Sequence, residues 1–89
     1  MTAPECYIIR FTKAAQRDFD GLASHLQTRI VRQLRILEVN PYTSKCLKLS
    51  GRDNVYRLRV GDYRILYRVD TVIRIVRITR IAHRREVYR

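Results

Sequence analysis

Between Tyr56 and Tyr67 the chain reads Tyr-Arg-Leu-Arg-Val-Gly-Asp-Tyr-Arg-Ile-Leu-Tyr, and this alternation about Gly61-Asp62 constrains the fold more than any other stretch. Glycine at the first central position of a two-residue loop signals a type II′ β-hairpin. That loop sets Val60 opposite Tyr63 and Arg59 opposite Arg64. Tyr56, Leu58, Val60, Tyr63, Ile65 and Tyr67 then share one face, which must be covered. Arg57, Arg59, Arg64 and Arg68 share the other. Like charges directly opposite on a sheet are destabilising. Such a local conflict is where a functional site is expected, here one that holds cations for an anion.

The rest of the chain supplies the cover. Cys6–Phe11 is rich in β-formers and predicts a short strand, and Thr12 is a good N-cap for a helix to about Leu22 or Ala23. Ala15, Phe19 and Leu22 make a narrow apolar stripe on it. Ser24 and Gln27 fit a capping box that opens a second helix to about Glu38, with Leu26, Ile30, Leu34 and Leu37 as its stripe. Asn40-Pro41 stops that helix. The hairpin strands are predicted over Val55–Val60 and Tyr63–Val69, after a connecting loop through Lys45–Asn54. A turn at Asp70-Thr71 leads into a further strand, Val72–Ile81. Its alternation slips at Ile75-Val76, as in a strand that is bulged or apolar on both sides. A two-residue turn at Asp70-Thr71 would set Arg64 opposite Arg77 and lengthen the cationic row. The expected fold is α+β: a strand, an antiparallel helical hairpin, then a three-stranded antiparallel meander, forming one sheet with the helices on one face.

The 89 residues and 46% hydrophobic content suit a single domain, residues 1–89, with one modest core. No apolar run approaches a membrane span, and no charged-then-apolar leader opens the chain, so a cytoplasmic protein with no membrane partner is expected. Cys6 and Cys46 are far apart and form no C-x-x-C pair; buried, reduced thiols are expected. With His25 and His83 as the only histidines, a metal site has little support, and no cofactor is expected. The formal net charge is +11. Residues 52–89 hold eleven arginines, no lysine and four acids. A solvated surface would mix signs and use lysine, whereas arginine presents the planar fork that suits phosphate. Nucleic acid is the expected partner class.

The chain closes with His83-Arg84-Arg85-Glu86-Val87-Tyr88-Arg89. Whether this tail is helical or extended, Arg84 and Tyr88 can point together toward the arginine face. Leu47-Lys48-Leu49-Ser50-Gly51, Tyr56–Tyr67 and His83–Tyr88, with the strand–helix–helix–three-strand order, resemble the RelE/ParE toxin superfamily of bacterial toxin–antitoxin systems. The resemblance covers nearly the whole length and looks like the RelE branch, whose members cut messenger RNA in the ribosomal A site. It implies a metal-independent endoribonuclease, a cognate antitoxin in a hetero-oligomeric complex, and the ribosome with its message as target.

Carried over by position, the functional set of that branch falls on Arg57, Arg59, Arg64, Arg84 and Tyr88. The best-known RelE pattern has lysines where this chain has Arg57 and Arg59, and its closing segment is one residue longer. The arginines keep the charge but remove two proton-transfer groups. Arg57, Arg59 and Arg64 suit stabilisation of a phosphorane-like transition state, with Arg77 and Arg85 added as RNA contacts. The bland alternative pairs some of these arginines with Asp53 or Glu86. Tyr88 is the general-base candidate, or a platform on which a base stacks. Histidine is the side-chain type best suited to proton transfer at neutral pH, so His83 is either a proton-transfer group or a strand-end residue that shapes the site. His25 reads as a surface residue, and Tyr56, Tyr63 and Tyr67 as core. Two other readings compete: the ParE branch, which poisons DNA gyrase and cuts no RNA, and a non-enzymatic basic RNA-binding module. Arg84 and Tyr88 favour RelE over ParE.

Overall fold

In a computed structural model, which describes residues 6–43, 46–49 and 54–85, the chain forms two helices and a five-stranded mixed sheet. The elements are β1 (Ile8–Phe11), α1 (Lys13–Asp20), α2 (Ser24–Val39), β2 (Cys46–Lys48), β3 (Val55–Val60), β4 (Tyr63–Asp70) and β5 (Ile75–His83). Strand order is β1-β5-β4-β3-β2, with β1 parallel to β5 and the other neighbours antiparallel. The expected α+β architecture holds, with one addition. Cys46–Lys48, expected within a connecting loop, forms the edge strand β2 against Tyr56–Leu58. Three residues are too few for periodicity to reveal a strand; its partner β3 provides the ladder.

Local chemistry accounts for both helices. The Thr12 hydroxyl accepts from the Ala15 N–H at 3.1 Å and caps α1 as expected. The same hydroxyl donates to the Thr79 carbonyl at 3.0 Å, fastening the helix start to β5. The expected capping box on α2 is absent. The cap is Ala23, which makes no side-chain hydrogen bond, and Ser24 is already helical. Gln27 instead donates through Nε2 to the Phe19 carbonyl at 2.9 Å, satisfying the end of α1 rather than the start of α2.

Ala15, Ile30, Leu34 and Leu37 from the helices meet Leu58, Val60, Ile65, Tyr67, Val69, Val76, Ile78 and Ile81 from the sheet in one core. Tyr67 is fully buried, and its hydroxyl donates to the Pro41 carbonyl at 2.8 Å. Tyr56 stacks on Tyr67 with ring centroids 5.7 Å apart. Burial is the main cause that raises the Tyr67 phenol well above its ordinary pKa. The three hairpin tyrosines are therefore core or packed against it, as the alternation implied. Cys46 is half-buried and Cys6 is exposed. Cys6 corrects the expectation of two buried thiols, because it precedes β1 and lies outside the covered face.

The β3–β4 register is the expected one: Val60 opposite Tyr63 and Arg59 opposite Arg64. Gly61 has φ +59° while Asp62 stays out of the left-handed region, the signature of the type II′ loop. The β4–β5 register is not the expected one. Arg64 lies opposite Ala82, and Arg77 lies opposite Arg68. The reversal takes four residues, 71–74, rather than two, so the strand starts at Ile75 instead of Val72. Asp70 Oδ1 accepts from the Val72 and Ile73 N–H groups, and Arg74 takes φ 56°. A bulge also falls later than the slip at Ile75-Val76 suggested. Pairing shifts between Leu66 and Tyr67, leaving Thr79 as the extra residue on β5, and the Thr79 hydroxyl donates to the Leu66 carbonyl at 3.1 Å. β5 is nonetheless central, between β1 and β4.

Candidate functional site on the open face of the sheet

The helices cover one face of the sheet, and the alternation of β3 and β4 sends Arg57, Arg59 and Arg64 to the other. Arg59 is exposed, Arg57 half-buried, and Arg64 buried at 9% exposure. Arg84 joins them because its N–H donates to the Asp62 carbonyl at 2.8 Å, tying the residue just past β5 to the hairpin tip. Burial, then the charges of Arg59, Arg57 and Arg84, lower the Arg64 guanidinium from its ordinary pKa; Asp62 opposes them. An arginine remains protonated under such a shift, so four positive charges are held together.

The Arg64 guanidinium is poorly satisfied. Nη1 donates to the Tyr63 carbonyl at 3.3 Å, and Nε, although buried, has no hydrogen-bond partner among the described residues. Leaving a buried donor unpaired costs about 1–3 kcal/mol. Among the described residues Arg59 makes one long bond, Nε to the Gly61 carbonyl at 3.4 Å. Nearby, Asp18 neutralises Arg80 at 2.8 Å and also accepts from the Ile81 N–H at the edge of β5, where β1 has ended. Arg80 thus has a carboxylate, whereas Arg64 and Arg59 have none among the described residues. Such a cluster can bind an anion with several planar oxygens and stabilise added negative charge on it.

The remaining predicted residues fall elsewhere. Arg77 pairs with Arg68 toward the other end of the same face, not with Arg64. Arg85 is exposed beyond β5. His83 pairs with Tyr63 and packs edge-on to its ring at 5.5 Å, on the side of the sheet that the helices cover. Its Nδ1 accepts from the Arg85 N–H at 3.3 Å. That position suits a residue shaping the turn into Arg84 better than one reaching the arginine row. His25 is exposed in the first turn of α2. Tyr88 lies outside the described residues, as do Asp53 and Glu86, the carboxylates suggested as partners for the arginines.

Two residues that the sequence reading passed over border the site. Arg29 and Arg32 of α2 line a cleft with Arg59, Val60 and Gly61 at the hairpin tip. A Cβ on Gly61 would come within 3.3 Å of the Arg29 guanidinium. Their spacing of three on one helix was the available signal, but only packing shows which strand that stripe meets. No group of three or more metal-ligating side chains occurs among the described residues. No helix among them is long and apolar enough to cross a membrane.

The family model for the ParE toxin of the type II toxin–antitoxin system parDE matches residues 9–88. Toxin RelG of Mycobacterium tuberculosis is 31% identical over 85 residues, covering 93% of this chain and 97% of that protein. Toxin RelE3 of Methanocaldococcus jannaschii is 33% identical over 88 residues, covering 90% and 93%. In three dimensions the chain superposes on one from the archaeal RelE–RelB complex of Pyrococcus horikoshii with a TM-score of 0.80. Identity there is 25%, with 92% of this chain and 99% of that chain covered. Sequence and fold agree: the chain is a toxin of the ParE toxin family of type II toxin–antitoxin systems, within the RelE/ParE superfamily.

Proposed function

We propose that this toxin is a ribosome-dependent, metal-independent endoribonuclease that cuts messenger RNA in the ribosomal A site. The observation that carries the reading is the buried, under-bonded Arg64 guanidinium among Arg57, Arg59 and Arg84. The relatives named RelG and RelE3 favour the same activity. In this reaction the 2′-oxygen attacks the adjacent phosphorus, the P–O5′ bond breaks, and a 2′,3′-cyclic phosphate remains. One proton leaves the 2′-hydroxyl and one reaches the 5′-oxygen. Arg64 and Arg59 bind the non-bridging oxygens and stabilise the charge that grows there, with Arg57 and Arg84 supporting them. None of the four can take the 2′ proton, since guanidinium stays protonated. Tyr88 is assigned that role by its position in the family pattern, a phenol being able to act as a base once ionised.

Arginines hold a phosphate but do not align a 2′-oxygen for attack. The ribosome is therefore assigned the task of fixing the message in line, a contribution of the proximity kind. The inhibitory partner is a cognate antitoxin, as in the RelE–RelB complex that this fold matches, with an acidic or amphipathic segment for the basic surface.

Primer extension on messages from cells expressing the toxin alone tests the activity, with codon-phased cuts as the expected result. Single-turnover cleavage on saturating programmed ribosomes tests the roles: Tyr88→Phe slows the step, and His83→Gln slows it less. A wild-type rate for Tyr88→Phe with abolished cleavage for His83→Gln would move proton transfer to His83. A second reading follows from the parDE family description: growth arrest with intact messages and inhibited DNA gyrase would assign the chain to ParE activity.

A further inference from the structure

The far end of the open face repeats the like-charge arrangement of the first row. Arg68 of β4 lies directly opposite Arg77 of β5, and Arg77 lies beside Arg10 of the parallel strand β1. Three arginines thus occupy paired positions across three adjacent strands, and all three residues are exposed. Both contacts are unfavourable for folding by themselves. None of the three makes an ion pair among the described residues, although Arg80, three residues after Arg77, has Asp18. Arg68 and Arg77 also line an open cleft of about 410 Å³ with Asn54, Asp70, Thr71 and Ile75 among its walls. Asp70 reduces the local charge, but its Oδ1 is engaged by the Val72 and Ile73 N–H groups of the turn. Arg64 and Arg68 are four residues apart on one strand, which places the second row roughly 13 Å from the first at ~3.3 Å per residue.

We propose that Arg10, Arg68 and Arg77 form a second phosphate-binding site, separate from the cleavage cluster, that holds an RNA backbone. The inference rests on the ribonuclease reading for the choice of RNA as the polyanion. Planar forks on neighbouring strands suit phosphodiester oxygens, and the exposed position leaves the bound phosphate free to continue along a strand. The message and ribosomal RNA offer the same chemistry.

Equilibrium binding of a labelled single-stranded oligoribonucleotide and of programmed ribosomes, each across a potassium chloride series, tests the site. The proteins are wild type, Arg68→Gln/Arg77→Gln, the triple variant adding Arg10→Gln, and Arg35→Gln as a control on exposed α2 surface. Each lost phosphate contact should reduce the log affinity–log salt slope by about 0.7 on a single strand. The double variant should therefore lose about 1.4, the triple about 2.1, and Arg35→Gln nothing. A loss on both ligands identifies the message strand; a loss on ribosomes alone identifies ribosomal RNA. An unchanged slope on both, or an equal fall per charge in Arg35→Gln, overturns the proposal. If wild type binds RNA but cuts no message on ribosomes, the ribonuclease reading fails while the slopes still decide the second site.

Discussion

The two hairpins that share β4 are built on different principles. The β3–β4 turn is two residues long and needs one backbone exception, the φ of +59° at Gly61. The β4–β5 turn is four residues long and is held from several directions. Asp70 accepts two N–H groups within it, and the Arg74 carbonyl accepts from the Ile8 N–H at 3.0 Å. The Arg74 guanidinium sits 4.3 Å from the centre of the Tyr7 ring. A turn specified by its own residues transmits its register to both strands; one specified by contacts with β1 cannot be read from its own letters. The consequence is functional. The first turn sets Arg59 against Arg64, and the second sets Arg77 against Arg68 rather than Arg64, dividing the open-face arginines into two rows.

The largest expected stability effect probes the covered side of the first hairpin. Leu58, 1% exposed and opposite Ile65, should cost about 2–5 kcal/mol on truncation to alanine, because its cavity cannot fully collapse. Denaturant unfolding measures it. A loss below ~1 kcal/mol would mean that the helices do not clamp this hairpin face.

On the other side of the same strands, Arg64→Ala should lower single-turnover cleavage by about 10²–10³-fold, by analogy with removing one oxyanion-stabilising donor. Arg59→Lys should lose less, since charge survives without the fork. Folding stability should hold or rise for Arg64→Ala, since a buried cation among like charges is removed. A comparable fall in stability would mean that Arg64 is structural.

The turns themselves respond unequally. Gly61→Ala should destabilise by about 1–2 kcal/mol, the cost of a left-handed backbone with a Cβ, and it also crowds Arg29. Asp70→Ala should cost about 0.5–1.5 kcal/mol, the worth of ordinary hydrogen bonds, because contacts with β1 still hold that turn. Thermal or denaturant melts of the two variants compare them directly. A larger loss at Asp70 would reverse the contrast between a self-specified and a context-held turn.

The smallest effect belongs to the shared strand and appears only in alkali. The Tyr67 proton is held more tightly in the native state than in the unfolded chain. Its contribution is complete below the unfolded phenol pKa of ~10 and is lost as pH rises above it. Stability measured upward from pH 10 should therefore fall, and Tyr67→Phe should flatten that fall while losing the bond to Pro41.

Short-range chemistry was legible in the letters. Thr12 capped α1, Asn40-Pro41 ended α2, and the alternation around Gly61-Asp62 gave both the core face and the Arg59–Arg64 pair. Each of these is decided within a few residues by sterics, capping or a period of two. The family pattern added Arg84, and the structure brings that residue to the row through its bond to Asp62. Long-range competition decided the rest. Gln27 satisfied α1 instead of boxing α2, β2 existed only because β3 offered an edge, and Thr79 bulged between Leu66 and Thr12. Where a backbone or side-chain group can bond either a neighbour or a distant strand, sequence names the candidates, and the packed fold chooses between them through the contacts that bury the most surface and leave the fewest polar groups unpaired.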